Sequence, residues 1–406
     1  MLYYVLPQIE INIKNKNLKL IIDNNNNNNN KSRNTDRYSL KKYLCKIKSL
    51  IDKHIKEWDI SKKYTNIYEF IHTVIPNQKL SVSKFKPISR AFFKLIEIYN
   101  THNILINNEP IKTFHLAEGP GGFIEATAFI RKNKKDIYYG MTLIDNNTNV
   151  PNWKKADNMI NQYKNIKIEY GKDNTGNLYN HQNLIYCKEK YKNSMDIITA
   201  DGGFDFSNDY NKQEVSVFRL IFTQVAYAIT MQSNNGTFIL KIFDMFENST
   251  LEILYLLSCF YDKVIICKPK TSRSANSEKY IVCKNFKYSN TNEISKKFIN
   301  ILKFFENLDF DSYTIYSILD IPILSYYKTN LLEINASFGH CQIDNILNTI
   351  KIITQKDKKY EKIQHLKSNN IQKCMNWCIN NNIPYNKYFQ HNNIFLGERV
   401  KNINKL

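Results

Sequence analysis

The chain has 406 residues and a formal net charge of +20, from 57 Lys and Arg against 37 Asp and Glu. Eight cysteines without a C-x-x-C pair argue against a disulfide framework or a zinc ribbon and predict reduced thiols in an intracellular protein. The longest apolar run, Leu251 to Tyr261, is too short to span a bilayer, so we expect a soluble protein without a membrane partner. The basic charge favours nucleic acid over a merely solvated surface, although an Asn-, Ile- and Lys-rich composition accounts for part of it.

The first 86 residues predict two segments ahead of the main domain. Residues 1–30 end in an unbroken Asn run, which predicts a disordered linker. In residues 31–86, lysines alternate with apolar residues at helical spacing from Tyr38 to about Tyr68, so we expect a basic helical extension. A solvated charged face is favoured there over a dedicated nucleic-acid groove.

Residues 87–290 alternate short apolar runs with helical ones. Helices are predicted over Phe123–Arg131, Val215–Gln232 and Ser249–Phe260. The predicted strands are Thr113–Ala117, Ile137–Leu143, Ile166–Tyr170, Met195–Ala200, Thr237–Phe243, Val264–Cys267 and Lys279–Val282. This order indicates an α/β sandwich on a mixed, mostly parallel sheet, whose ligands bind at the carboxyl ends of the strands. Residues 291–406 predict a helical appendage with a loose end after about Tyr388.

A glycine-rich loop follows the first predicted strand of this domain. Glycines let a backbone pass close beneath a ligand, and the helix that begins behind them favours negative charge. The loop lacks the G-x-G-x-x-G dinucleotide fingerprint, and a tight structural turn is the alternative. The predicted cofactor-binding residues here are Glu118, Gly119, Pro120, Gly121, Gly122 and Phe123.

Two later strands carry charged residues that folding alone explains poorly. Asp201 follows a buried strand and is flanked by Gly202 and Gly203, and Lys241 interrupts an otherwise apolar strand. A lysine inside a buried strand is costly unless it is paired or neutralised. We therefore expect Asp201 and Lys241 to have a chemical task.

A polar loop, Lys268 to Ser277, leads into the last predicted strand with Glu278 at its start. The segments K-P-x-T-S-R-x-A-N-S-E-x-Y, A-D-G-G-F and G-P-G-G-F, with S-R-A-F-F-K-L upstream, together resemble the FtsJ-like ribose 2′-O-methyltransferases, and most closely those that modify the mRNA cap. The resemblance covers about Pro87 to Lys284 and implies a Rossmann-like S-adenosylmethionine methyltransferase fold.

The resemblance also implies site residues. A K-D-K-E catalytic tetrad finds a match in Lys94, Asp201, Lys241 and Glu278, with Lys241 as the expected base and no metal. Glu118 stands where the family often has Asp, which keeps the charge. Asp173 is the candidate for the adenosine side of the cofactor, with Asn177 or a plain polar turn as alternatives. Lys268, Lys270, Arg273 and Asn276 are the candidates for RNA contact, against the alternative of exposed loop charge.

The implied reaction is methylation of the first transcribed nucleotide of capped mRNA. Capped RNA is then the partner, with other capping or transcription proteins as further candidates, and the nucleus or a cytoplasmic viral factory would suit. Methylation of ribosomal RNA or of the second nucleotide is the alternative, as is a catalytically silent RNA-binding subunit. A nicotinamide-dependent dehydrogenase would explain the sheet but not Lys241 with Asp201.

Overall fold

A computed structural model describes residues 1–24, 35–105, 108–145, 150–203, 213–355 and 359–386. The chain divides into two compact units. The first contains Met1–Lys53 and Pro87–Leu347, and the second contains His54–Lys86 and Asn348–Leu406. The boundary between Lys86 and Pro87 coincides with the start of the predicted main domain. The predicted division of the chain into four segments stays a prediction, and most of the Asn run and the predicted loose end lie outside the described residues.

The first unit is built on a central sheet, whose strands in spatial order are β1, β8, β9, β7, β6, β3, β4 and β5 within the described residues. From β7 to β5 all neighbours are parallel, whereas β9 is antiparallel to both β7 and β8. The strand bounds are β1 Leu2–Val5, β2 Leu18–Asn24, β3 Lys112–Leu116, β4 Ile137–Met141, β5 Ile166–Ile168, β6 Met195–Ala200, β7 Gln232–Ile242, β8 Tyr261–Lys268, β9 Lys279–Phe286 and β10 Tyr313–Leu319.

Most of the buried apolar residues around this sheet lie on helices of the first unit. The helix bounds of both units are α1 Thr35–Lys48, α2 Ile55–Thr65, α3 Ala91–Thr101, α4 Gly122–Arg131, α5 Asp157–Gln162, α6 His181–Tyr191, α7 Gln213–Met231, α8 Asn248–Phe260, α9 Asn292–Glu306, α10 Ser325–Thr354 and α11 Lys359–Asn380. The longest apolar run of the sequence lies in α8, which is buried from Ser249 to Phe260 and packs against β8, β9 and β10. None of the described helices is both long and apolar enough to cross a membrane.

The order of the strands positions the site. The chain runs from β3 to β4 on one side of the sheet and returns to β6 on the other, so β3 and β6 flank a switch point where ligands of open α/β sheets bind. Ala200 of β6 pairs with both Leu116 and Leu240, so the carboxyl ends of β3, β6 and β7 lie at one edge. The predicted fold class is confirmed.

The outer parts of the first unit contain strands that the sequence did not predict. β1 adds antiparallel to β8 at the edge of the central sheet, and β2 pairs antiparallel with β10 in a separate two-stranded sheet. β10 lies in the segment predicted to be a helical appendage. Its backbone is held by a buried carboxylate of α8, because Glu252 accepts from the amides of Ile318 and Leu319. Its aromatic and β-branched residues and its contacts with segments distant in sequence both favour a strand here.

The second unit consists mainly of α2 and α11. The Asn370 side chain on α11 donates to the Tyr64 carbonyl 2.8 Å away, and Ser83 forms an isolated antiparallel bridge with Tyr385. Cys374 and Cys378 are buried on α11. The stretch from Tyr38 to Tyr68, which was predicted as one helical extension, contains two α-helices, because a 3₁₀ turn at Ile51–His54 separates α1 from α2.

Candidate active site

The glycine-rich loop connects β3 to α4. Gly121 is the N-cap of α4 and has a φ of 111°, a left-handed conformation that disfavours any side chain. A Cβ at Gly119 would overlap the carbonyl of Pro151, and one at Gly122 would overlap the Ser89 hydroxyl. The glycines are therefore required by close packing around the start of α4.

The Glu118 carboxyl caps the helix that follows it. Its Oε1 accepts hydrogen bonds from the amides of Phe123 and Ile124 at 2.8 and 2.9 Å. Burial, opposed by these two hydrogen bonds and reinforced by the negative charge of Asp201, raises the pKa of Glu118 to about 8. Glu118 is thus mainly protonated at neutral pH. Its predicted role as a cofactor ligand stays a prediction.

Asp201 and Lys241 meet at the carboxyl ends of β6 and β7. The Lys241 ammonium donates to the Asp201 backbone carbonyl at 2.6 Å, and its Nζ lies 3.3 Å from Asp201 Oδ1. Gly203 leaves room for this amine, because a Cβ there would lie 3.1 Å from Lys241 Nζ. The lysine inside the strand therefore has a carboxylate partner, as its costly position requires.

Lys94 and Glu278 form the second ion pair of the site. Lys94 Nζ lies 2.7 Å from Glu278 Oε2, and both side chains are about nine-tenths buried. Burial acts to raise the pKa of Glu278, but the charges of Lys94 and Lys241 outweigh it and hold that pKa well below its usual range. Ser272 also donates to Glu278 Oε1 at 2.7 Å. Glu278 is therefore a fixed negative charge between the two lysines.

Tyr280 joins the two ion pairs and was missed by the sequence analysis. Its hydroxyl donates to Asp201 Oδ1 at 2.8 Å and accepts a hydrogen bond from Lys94 Nζ at 3.4 Å. The register explains this position. Tyr280 pairs directly with Lys241 across β7 and β9, so both point to the same face, and Glu278 precedes Tyr280 by the two-residue period of a strand. That period, applied from Glu278, could have identified it.

The four residues predicted for RNA contact lie in or beside the loop between β8 and β9. Lys268 does not point outward, since its Nζ donates to the carbonyls of Asn276 and Glu278 and to the Asn276 side chain, at 2.7 to 2.9 Å. Burial, aided by the charge of Lys279, lowers the pKa of Lys268 to about 7. Lys270 and Asn276 are exposed and Arg273 is half-buried. Lys268 thus closes the loop on itself, and the others are better placed to reach a substrate.

One face of α3 also holds this loop. Glu97 accepts hydrogen bonds from the backbone amides of Lys270 and Thr271, and Arg90 donates to the Thr271 carbonyl at 2.9 Å. Arg90, Lys94 and Glu97 are spaced four and three residues apart, which places them on the same side of a helix. Glu97 and Arg90 had no predicted role, and their helical spacing from Lys94 is the signal that identifies them.

Asp173 lies in the turn after β5. Its carboxylate accepts hydrogen bonds from the Thr175 amide and hydroxyl and from the side-chain amides of Asn180 and Asn183. These hydrogen bonds, acting against burial, lower its pKa. The carboxylate is therefore engaged by its own turn, as in the polar-turn alternative, and its contact with a cofactor stays a prediction.

Two buried polar atoms near the glycine loop lack a partner among the residues that the structure describes: the Ser89 hydroxyl and the Trp153 indole nitrogen. Ser89 lies against Gly122, and the Trp153 ring lies close to Gly121. Buried polar groups are normally hydrogen-bonded, so these atoms fit a polar ligand at this loop. Across the described ranges, no group of three or more His, Cys, Asp or Glu side chains is arranged to hold a metal ion.

Comparison with known proteins agrees with this geometry. The FtsJ-like methyltransferase model matches residues 87–286. A cap-specific mRNA (nucleoside-2′-O-)-methyltransferase of Autographa californica nuclear polyhedrosis virus is 31% identical over 215 residues, which cover 52% of this chain and 78% of the viral protein. The chain belongs to the FtsJ-like methyltransferase family. The predicted resemblance is confirmed, and S-adenosylmethionine is the methyl donor that this membership implies.

Other relatives share only part of their length with this chain. The cap-specific mRNA (nucleoside-2′-O-)-methyltransferase 2 of Pongo abelii is 29% identical over 263 residues, covering 61% of this chain and 33% of that protein. The chain therefore spans about a third of the length of that relative. Among solved structures, a Plasmodium falciparum protein described as a ribosomal RNA methyltransferase matches with a TM-score of 0.35 and 23% identity, over 49% of this chain and 97% of that chain.

Proposed function

We propose that this chain transfers a methyl group from S-adenosylmethionine to a ribose 2′-oxygen of RNA, with capped mRNA as substrate and its first transcribed nucleotide as target. The observation that carries the proposal is the continuous network Glu278, Lys94, Tyr280, Asp201 and Lys241 at the switch point of the sheet. Two amines and two carboxylates in one network can align a hydroxyl and remove its proton.

Lys241 is the proposed base. When bound at the glycine loop, S-adenosylmethionine supplies the methyl group from a sulfonium, whose sulfur keeps the electron pair of the broken carbon–sulfur bond. Once it has released a proton to solvent, the Lys241 side chain can accept the hydroxyl proton as the ribose oxygen bonds to the methyl carbon. Asp201 fixes the position of that amine through the contacts at 2.6 and 3.3 Å. Asp201 is thus an orienting partner.

Lys94 is the proposed electrostatic partner of the substrate. Its ammonium is fixed by Glu278 and Tyr280, so it can stabilise the charge that develops on the ribose oxygen or hold an adjacent phosphate. Lys270 and Arg273, in the loop between β8 and β9, are the proposed contacts to the RNA backbone. Ser89 and Trp153 are proposed to contribute hydrogen bonds to the bound cofactor.

The names of the relatives support capped mRNA as the substrate class. Relatives named cap-specific mRNA methyltransferase 1 and 2 both match, the former over 42% to 45% and the latter over 50% to 61% of this chain. Methylation of the first nucleotide is therefore the more specific part of the proposal, and methylation of the second nucleotide is its alternative. The reaction would take place where transcripts are capped, in a nucleus or a cytoplasmic viral factory.

The test is incubation of the purified chain with radiolabelled S-adenosylmethionine and short RNA, either capped or carrying a 5′-triphosphate, followed by nuclease mapping. We expect label on the ribose of the first nucleotide of capped RNA only. Label on the second nucleotide would mean that the second nucleotide is the target, and the reaction would still be ribose 2′-O-methylation. Equal labelling of uncapped RNA would exclude cap specificity, and cofactor binding without any transfer would indicate a silent subunit.

A further inference from the structure

One face of α10 contacts two loops next to the proposed catalytic residues: the loop that follows β7, the strand of Lys241, and the loop that precedes Glu278. The Asn335 side chain donates to the Met245 carbonyl at 2.7 Å, in the loop that follows Lys241. The Gln342 side chain donates to the Ala275 carbonyl at 2.9 Å, in the loop that precedes Glu278. Asn335, Phe338 and Gln342 are spaced three and four residues apart, so they form one face of the helix, and all three are buried.

The third residue of this face, Phe338, lies beside a lysine that ties the two loops together. Lys279 Nζ donates to the Phe243 carbonyl at 3.0 Å and to the Ser277 carbonyl at 2.8 Å. The Phe338 ring centroid lies 5.5 Å from that Nζ. Phe243 is two residues after Lys241, and Ser277 directly precedes Glu278. The α10 face therefore contacts both loops and the amine between them.

A second helix holds the same region. Lys48 of α1 pairs with Asp244 at 2.8 Å, with side-chain exposures of only 9% and 12%, and Lys41 of α1 pairs with Glu247. Leu40 of α1 lies against Gly339 of α10, where an added Cβ would meet it at 3.4 Å. Both helices lie outside residues 87–286, which the family model matches. The loops of the family domain are thus held by parts of this chain beyond that domain.

We propose that the Asn335, Phe338 and Gln342 face of α10 is a positioning surface that sets the geometry of Lys241 and Glu278. The expected effect on catalysis rests on the proposed function, whereas the expected effect on the two loops does not. Hydrogen bonds to loop carbonyls restrict the loops, and loss of a donor leaves a carbonyl unsatisfied in a buried setting. Small misplacement of reacting groups reduces the rate strongly, whereas cofactor affinity depends on the glycine loop.

The test uses full-length Asn335→Leu and Gln342→Leu, which remove the amide donor at similar volume, with Glu333→Leu as the control on an exposed site of the same helix. We expect each of the first two to lower the single-turnover methylation rate about tenfold while the S-adenosylmethionine Kd and the KM for RNA stay within twofold. The control keeps the wild-type rate. A residue that only stabilises the fold would lower the unfolding temperature and leave the rate per cofactor-binding site unchanged, which would overturn the proposal.

Amide hydrogen exchange provides a readout that does not depend on methyl transfer. We expect faster exchange across 269–278 in Gln342→Leu and across 244–248 in Asn335→Leu, with no change at either segment in Glu333→Leu. Unchanged exchange in both variants overturns the positioning surface, whatever the activity. If the wild-type chain transfers no methyl group to RNA while these exchange differences appear, the proposed function fails and the positioning surface stands.

Discussion

Two acidic residues follow neighbouring strands of the sheet, yet their surroundings give them different chemistry. Glu118 follows β3 and is buried, and its Oε1 accepts hydrogen bonds from the first amides of α4. Asp201 follows β6, is partly exposed, and meets Lys241 and Tyr280. Burial raises the pKa of Glu118 to about 8, which makes it a mainly neutral cap. Position at a strand end therefore does not determine the role of a carboxyl; its partners do.

The largest effect is expected at the amine that Asp201 holds. Lys241→Ala should lower methyl transfer by about 10² to 10⁴-fold, because the base is removed, and should leave cofactor binding intact, because the glycine loop is unchanged. The transfer rate is measured under single-turnover conditions with RNA, and the binding of S-adenosylmethionine is measured by calorimetry. Lys167→Ala, at an exposed position of β5, is the control. Undiminished transfer by Lys241→Ala would exclude Lys241 as the base.

The matched substitutions Asp201→Asn and Glu118→Gln test the comparison directly. Asp201→Asn removes the charge that orients Lys241 and should slow transfer by roughly 10- to 100-fold. Glu118→Gln keeps an oxygen that can accept from the α4 amides and should change the rate less than threefold. Both rates are measured at saturating cofactor. If Glu118→Gln proved as slow as Asp201→Asn, the two carboxyls would not differ in role.

A smaller loss is expected at the bridging tyrosine. Tyr280→Phe removes the hydrogen bond to Asp201 and the acceptor for Lys94 but keeps the ring, so transfer should slow about fivefold. The comparison variant is Tyr186→Phe, on α6 away from the network. A double-mutant cycle with Asp201→Asn should show coupling, because the two side chains share one hydrogen bond. Additive effects would mean that Tyr280 acts independently of Asp201.

The last prediction concerns stability rather than rate, through the pH dependence of Glu118. Its pKa is about 8 in the folded chain against 4.5 for an unperturbed glutamate, so the folded state retains a proton that the unfolded state loses between these values. The wild-type free energy of unfolding should therefore fall relative to that of Glu118→Gln as pH rises from 5 to 8, by on the order of 3 kcal/mol. Denaturant unfolding of both proteins at pH 5, 6.5 and 8 measures this. Parallel pH curves would refute it.

The sequence predicted the strands of the sheet core well, for physical reasons. Apolar runs such as Met195–Ala200 are buried on both faces, so hydrophobicity alone predicts them. Lys241 stood out because charge in such a run is costly. The role of Glu118 could not be read in the same way, because a carboxyl next to glycines is equally compatible with ligand binding and with capping. Only the three-dimensional contacts distinguish the two.

Other features were not predicted from the sequence and are explained by contacts in the folded chain. Tyr280 joins the network because β9 pairs with β7 in one particular register. Lys268 donates to the carbonyls of Asn276 and Glu278, and its predicted contact with RNA stays a prediction. β10 was missed although Tyr313–Leu319 is rich in aromatic and β-branched residues, which favour strands. Its partners, β2 and Glu252, are distant in sequence.

The pairing of β2 with β10 has a consequence for how the chain acquires its structure during synthesis. Asp23 pairs with Thr314, so β2 must wait for most of the chain to leave the ribosome before its partner exists. At about 5–20 residues per second this wait lasts roughly 15–60 s. Throughout that interval β2 has no native strand to pair with, although β1 gains its partner β8 earlier, and the pairing of β2 with β10 is a late step of folding.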